Sequence, residues 1–131
     1  MALYYYDTSA LAKLVVAEAE SAALRAVMLE AVNVSSDLAR TELVRAVRRA
    51  VPDRVPLAHD VLTALDLVAL TPEVMDAAGR LGPDALRSPD AVHVAAALTL
   101  GDELDALVTY DDRMAEAATR TGLHVLAPGR D

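Results

Sequence analysis

Leu3-Tyr4-Tyr5-Tyr6-Asp7-Thr8-Ser9 is a short β-rich, largely apolar run that stops at a carboxylate. The next residues, Ala10-Leu11-Ala12-Lys13-Leu14-Val15-Val16, contain no Gly or Pro and read as a helix. A buried strand that delivers an acid to its C-terminal end, at the start of the next helix, is the usual way an open α/β sheet builds a site. The plainer role for Asp7 is helix capping, since Asp is a good N-cap and suits the positive end of the helix dipole. Three more acids at comparable places later in the chain favour a site.

The remaining pattern alternates. A strand at about 2–7 and a helix at about 8–17 are followed by a helix near 19–30 and a short strand at 32–35. Ser36 or Asp37 then caps a helix to about Val51, ended by Pro52 and Pro56. A helix near 57–66 leads to a strand at 67–70. Thr71-Pro72-Glu73 is a helix start with cap, proline and early acid, and that helix stops at Gly79 or Gly82. Ser88-Pro89-Asp90 starts another helix in the same way, ended by Gly101. A strand at 106–109, a helix from Asp111 to Thr121 and a last strand at 123–126 complete the chain. Strands alternating with helices imply an α/β fold with a mostly parallel sheet of 4–5 strands, covered on both faces.

The chain has 131 residues, expected as one domain over 1–131, and is 54% hydrophobic with no Phe, Trp or Cys. Without Cys there is neither a disulfide framework nor a thiolate metal site. The longest nearly unbroken apolar run, Ala91 to Leu100, contains His93 and is too short to span a bilayer. No basic leader precedes Asp7, so a cytoplasmic protein with no membrane segment is expected. The net charge of −8 opposes nucleic-acid binding by bulk electrostatics. It leaves room for an enzyme whose acids hold metal ions, because a bound cation reverses the local charge. The basic residues are unevenly placed: Arg40, Arg45, Arg48, Arg49 and Arg54 share their segment with only Glu42 and Asp53 as acids.

Glu42 is the second acid. At 100° per residue, Leu38, Ala39, Leu43, Ala46 and Ala50 form the apolar stripe of its helix, and Glu42 falls inside the stripe's edge. A carboxylate there needs a partner, either a metal or a salt bridge to Arg45 or Arg49 on the same side. Asp90, the third, lies in the first turn of a helix apolar nearly all round. His93 follows one turn on, as a ligand, a residue behind a ligand, or a buried hydrogen-bonded histidine. Asp111, the fourth, stands where the strand 106–109 meets a helix, matching Asp7. If those two strands are close, all four acids converge beyond the carboxyl edge of the sheet. Clustered carboxylates repel unless cations neutralise them, and hard oxygen donors point to Mg²⁺ or Mn²⁺.

Asp7-Thr8-Ser9-Ala10, a helical Glu42, Asp90-Ala91-Val92-His93-Val94-Ala95 and Thr109-Tyr110-Asp111 together resemble, in order and over essentially the whole length, the motifs of the PIN domain in VapC-type toxins. The resemblance implies a three-layer α/β/α domain and a Mg²⁺- or Mn²⁺-dependent endoribonuclease acting on single-stranded RNA with one or two ions. It also implies inhibition by a VapB-type antitoxin and assembly as a homodimer. By it, Asp7, Glu42, Asp90 and Asp111 are the acidic quartet, catalytic and metal-holding. Ser9 matches a small hydroxyl residue near the metal, Thr109 orients the site through its hydroxyl, and Asp112 is an extra acid. Lys13, Arg45 and Arg49 are candidates for guiding RNA phosphates.

Two other readings share parts of this pattern. An aspartyl-phosphate domain of receiver or haloacid type also places acids at strand ends. However, a receiver needs a Lys after a late strand, and Lys13 is the chain's single Lys. A haloacid-type site needs a second Asp where Ser9 stands. A non-catalytic interaction domain of the same fold is opposed by the presence of all four acids.

Overall fold

The computed structural model describes residues 1–130; Asp131, the last residue of the expected domain, lies outside the described residues. Five strands, β1 (Ala2–Tyr6), β2 (Ala31–Ser36), β3 (Asp66–Val68), β4 (Ala106–Val108) and β5 (Val125–Leu126), form one sheet in the order β3-β2-β1-β4-β5. Every neighbouring pair is parallel. The helices are α1 (Thr8–Val15), α2 (Ser21–Leu29), α3 (Leu38–Ala50), α4 (Val55–Thr63), α5 (Pro72–Gly79), α6 (Ser88–Leu98) and α7 (Asp112–Arg120). The expected α/β class and mostly parallel sheet of 4–5 strands are observed, as five strands that are all parallel.

The chain winds outward from β1 to β2 and β3, then returns to lay β4 and β5 on β1's other side. The strand order therefore reverses between β1 and β4, where Tyr6 is paired with Val108. In an open parallel sheet, the crevice beyond the carboxyl ends at such a reversal is where ligands bind. Asp7 and Asp111 stand just past those two ends.

Strand alternation produces two cores. Tyr5 and Leu107 face one side and pack with Val92, Val94 and Ala96 of α6 and Met114 of α7. Tyr6 and Val108 face the other side and pack with Leu11, Leu24, Leu43, Val47 and Leu62 from α1 to α4. Full burial of each such leucine contributes about 1.5–3 kcal/mol, so the central strands are held from both faces. The rigid β1–β4 pair fixes the positions of its two acids. α6 is buried along 90–97, as its all-round apolarity predicts.

Differences from the sequence reading lie at element ends. α1 ends at Val15 and α2 begins at Ser21, whose hydroxyl donates to the Lys13 carbonyl at 2.6 Å and accepts from Glu18 N at 2.9 Å. These bonds satisfy the turn's backbone and shorten both helices. One residue of the expected α3 stripe is exchanged for another. Val47 is fully buried, while Ala50 is exposed near the helix end. Among the described residues, no helix is long and apolar enough to cross a membrane.

Candidate active site

Asp7 caps α1 and does more. It is 1% exposed, and its carboxylate accepts from Ala10 N at 3.0 Å, from Ser9 Oγ at 2.8 and 2.9 Å, and from Thr109 Oγ1 at 2.6 Å. Burial pushes its pKa up, while the bonds from Thr109, Ala10 and Ser9 pull the other way without cancelling the rise. The capping and site roles of Asp7 are thus compatible.

Thr109 and Ser9 lace the loops after β1 and β4 together. Thr109 Oγ1 donates to Asp7 and accepts from Asp111 N at 3.0 Å, and Ser9 Oγ accepts from Tyr110 N at 3.0 Å. Asp111 caps α7, its Oδ1 accepting from Arg113 N at 2.9 Å and Met114 N at 3.3 Å. Asp90, 7% exposed in the first turn of α6, faces Asp111. Burial raises its pKa most, the Asp111 charge next, and Arg87 opposes both. Asp90 Oδ2 is buried with no hydrogen-bond partner.

Glu42 forms the other half. Its Oε1 accepts from Thr8 Oγ1 at 2.7 Å and lies 2.6 Å from His93 Nε2. Burial alone would raise the Glu42 pKa, but the bonds from His93 and Thr8 outweigh it and hold the carboxyl below its ordinary range. With Glu42 ionised, the short contact requires a proton on Nε2. In the neutral ring, Nδ1 then accepts from the Tyr5 hydroxyl, 2.7 Å away. Burial raises the Tyr5 pKa, which keeps that hydroxyl protonated. The alternative salt bridge of Glu42 to Arg45 or Arg49 is not formed. Both ring nitrogens of His93 are thus engaged in hydrogen bonds, one with Glu42 and one with Tyr5.

The other candidates divide. Ser9 and Thr109 sit in the network, whereas the Asp112 side chain is almost fully exposed and pairs with Arg130 at 3.1 Å. Lys13 is engaged by Glu18 at 2.6 Å and Glu20 at 3.0 Å and lies 4.7 Å over the Tyr110 ring, which commits its charge. Arg45 and Arg49 are exposed and, with Arg48, line a shallow surface depression. Three participants escaped the sequence reading: Thr8, Tyr5 and Arg87. Thr8 lies beside Asp7, and Arg87 precedes Asp90 by the three residues that put helical neighbours on one side. Both signals were available in the sequence.

Among the described residues, no three His, Asp or Glu side chains stand close enough to enclose one metal ion. The donor chemistry nevertheless fits a hard divalent cation. The available donors are carboxylate oxygens, Asp7 and Asp90 are buried against their own charge, and Asp90 Oδ2 accepts no hydrogen bond.

Comparison with known proteins identifies the family. The PIN domain family matches residues 4–120. Ribonuclease VapC46 of Mycobacterium tuberculosis (strain ATCC 25618 / H37Rv) is 44% identical over 129 residues, covering 98% of this chain and 99% of that protein. Ribonuclease VapC47 of the same species (strain CDC 1551 / Oshkosh) is 38% identical, covering 97% and 98%. Ribonuclease VapC35 is 40% identical, covering 98% of each. Among solved structures, M. tuberculosis VapC20, a sarcin-ricin-loop-cleaving toxin, superposes with a TM-score of 0.77 at 16% identity, covering 95% of this chain and 99% of that one. At that identity the superposition speaks for the fold, while the sequence matches speak for the family. The chain belongs to the PIN-domain family and is homologous, over nearly its full length, to the VapC ribonucleases.

Proposed function

We propose that this protein is an endoribonuclease toxin that requires Mg²⁺ or Mn²⁺ and hydrolyses RNA phosphodiester bonds with Asp7, Glu42, Asp90 and Asp111. The observation that carries the reading is the lacing of Asp7 to the Asp111 loop through Thr109, across the strand reversal, with a buried Asp90 oxygen that accepts no hydrogen bond beside them. Those four carboxylates would hold one or two ions. When bound, such ions supply Lewis-acid activation of water and neutralise charge on the phosphodiester.

The protein's own part is positional. Ser9 and Thr109 fix the Asp7 carboxylate, and Thr8 and His93 fix Glu42 through one oxygen, leaving Oε2 available. Glu42, held ionised by these bonds, keeps a negative charge in the site over the working pH range, which suits orienting or deprotonating a water. Asp7 and Asp90 are destabilised as anions, so a cation that neutralises them is favoured.

The aspartyl-phosphate alternative loses its remaining support in the structure, because Lys13 is tied to Glu18 and Glu20. Homology to VapC ribonucleases further implies a VapB-type antitoxin as partner and a homodimer as the assembly. An inhibitor of this acidic site is expected to present an Arg to it, since a guanidinium pairs with two carboxylates at once. The deciding experiment incubates the protein with a mixed RNA pool, with and without Mg²⁺, and sequences the cleaved ends. Cleavage at defined positions that EDTA abolishes is expected. Cleavage undiminished by EDTA would sink the metal-dependent mechanism and direct attention to His93 or His124 as acid–base groups.

A further inference from the structure

Arg87 is the one Lys or Arg within 4.0 Å of any of the four acids among the described residues. Its Nε lies 3.5 Å from Asp90 Oδ2 and its Nη2 4.0 Å from Asp111 Oδ2. It occupies the N-cap position of α6, where it makes no capping hydrogen bond. A cation there faces the positive end of the helix dipole, and Ser, Thr, Asp or Asn would stabilise the helix better. Helix stability therefore does not explain an arginine at this position. Both contacts exceed hydrogen-bond length, and the side chain is 68% exposed, so its hold on the carboxylates is electrostatic and loose.

We propose that Arg87 is an exchangeable counter-ion of the site. It competes with Mg²⁺ for Asp90 and Asp111 and, once released, pairs with a non-bridging phosphate oxygen of the RNA. The same planar fork suits both partners, and the exposed arm needs only to rotate from the carboxylates towards the crevice mouth. The exchange would leave part of the site's negative charge compensated at each stage: guanidinium on carboxylate before metal arrives, metal on carboxylate and guanidinium on phosphate afterwards. This inference rests on the ribonuclease reading for its phosphate half alone.

The test uses the full chain and the variants Arg87→Gln and Arg87→Lys, each checked for folding by circular dichroism. Mg²⁺ alone is first titrated by calorimetry and by thermal shift, without RNA. Removing an exposed competing charge should tighten Mg²⁺ binding in Arg87→Gln by about threefold, while Arg87→Lys stays near wild type. Cleavage is then measured at saturating Mg²⁺. Here kcat should fall by about 10- to 100-fold in Arg87→Gln and recover in part in Arg87→Lys. Unchanged Mg²⁺ affinity in Arg87→Gln overturns the exchange, and so does a wild-type kcat in that variant. A wild-type protein inert on every RNA overturns the ribonuclease reading and the phosphate half with it, while the Mg²⁺ titrations still decide the competition.

Discussion

Thr109 Oγ1 stands 2.6 Å from Asp7 Oδ2, joining residues 102 positions apart at the carboxyl ends of adjacent strands. The same oxygen accepts from Asp111 N, so one hydroxyl sets the relation between two of the four acids. Thr109→Val keeps the shape and removes that hydroxyl. Loss of a buried bond to a charged group should lower stability by about 1.5–3 kcal/mol, partly offset by protonation of Asp7. Cleavage should drop at least about tenfold as the carboxylate loosens. Unfolding curves and steady-state kinetics read the two effects, and wild-type kinetics would show that Thr109 is only structural.

Asp90 gives a pH-dependent prediction with a definite sign. Its folded pKa is raised above the ordinary 3.8, by burial first and by Asp111 second. Between those values the folded state binds more protons than the unfolded chain, so this group's contribution to stability falls as pH rises through the window. Asp7, raised by burial, acts in the same direction. Glu42, held below the ordinary range, acts oppositely, its contribution being lost as pH falls through its folded value. Subtracting the Asp90→Asn melting profile from that of wild type isolates Asp90. In EDTA at neutral pH the variant should melt higher, and the gap should close at acid pH. Equal melting temperatures at every pH would contradict the buried-charge account.

Metal should reverse that balance. Mg²⁺ in the millimolar range should raise the wild-type melting temperature, because the ion binds the assembled site and not the unfolded chain. Asp7→Ala, Glu42→Ala, Asp90→Ala and Asp111→Ala should each abolish cleavage while the fold survives. The Mg²⁺-induced shift should shrink most in Asp7→Ala and Asp90→Ala, where the buried anions are lost. A full shift in both would place the ion elsewhere.

His93 is expected to act through Glu42. His93→Ala removes the donor to Glu42 and leaves the Tyr5 hydroxyl without its partner, so both stability and kcat should fall, the latter by about tenfold or more. Tyr5→Phe removes only the outer bond and should fall less. A His93→Gln side chain that still donates to Glu42 should recover part of kcat without recovering all the stability, an outcome that a purely structural histidine would not give. Identical kcat in wild type and His93→Ala rules the positioning role out.

Arg45 and Arg49 follow Glu42 along one side of α3 and make no ion pair among the described residues. If they contact RNA phosphates, the Arg45→Ala and Arg49→Ala variants, each in an inactive Asp7→Asn background, should bind RNA more weakly. Each should also flatten the dependence of log affinity on log salt by about 0.7. An unchanged slope would leave them as solvated helix charges.

Much of this site can be read locally because each acid sits at an element boundary that its own neighbours specify. Tyr4-Tyr5-Tyr6 makes a strand, Asp7 and Asp111 cap the helices that follow, and Ser88-Pro89-Asp90 opens α6. Helical periodicity likewise placed Glu42 at the edge of the buried face. Local signals of this kind establish the α/β class and the order of the four acids along the chain. Element ends near 16–21 were less legible, because Ser21 decides them by reaching back to Lys13.

What the sequence could not decide is who partners whom. Whether β1 lies beside β4 depends on which side of the sheet the chain returns to after β3. That choice alone brings Asp7 next to Thr109. Glu42 had two arginines on its own helix, yet it bonds Thr8 and His93, 34 and 51 residues away, because packing α1, α3 and α6 against the sheet brings those donors to its buried side. Arg87 reaches Asp111 only because α6 and α7 begin at the same edge. Capping and periodicity are energies of neighbouring residues and can be read in order along the chain. Partner choice is an energy of surfaces that meet only once both cores have closed, and there the tertiary structure decided.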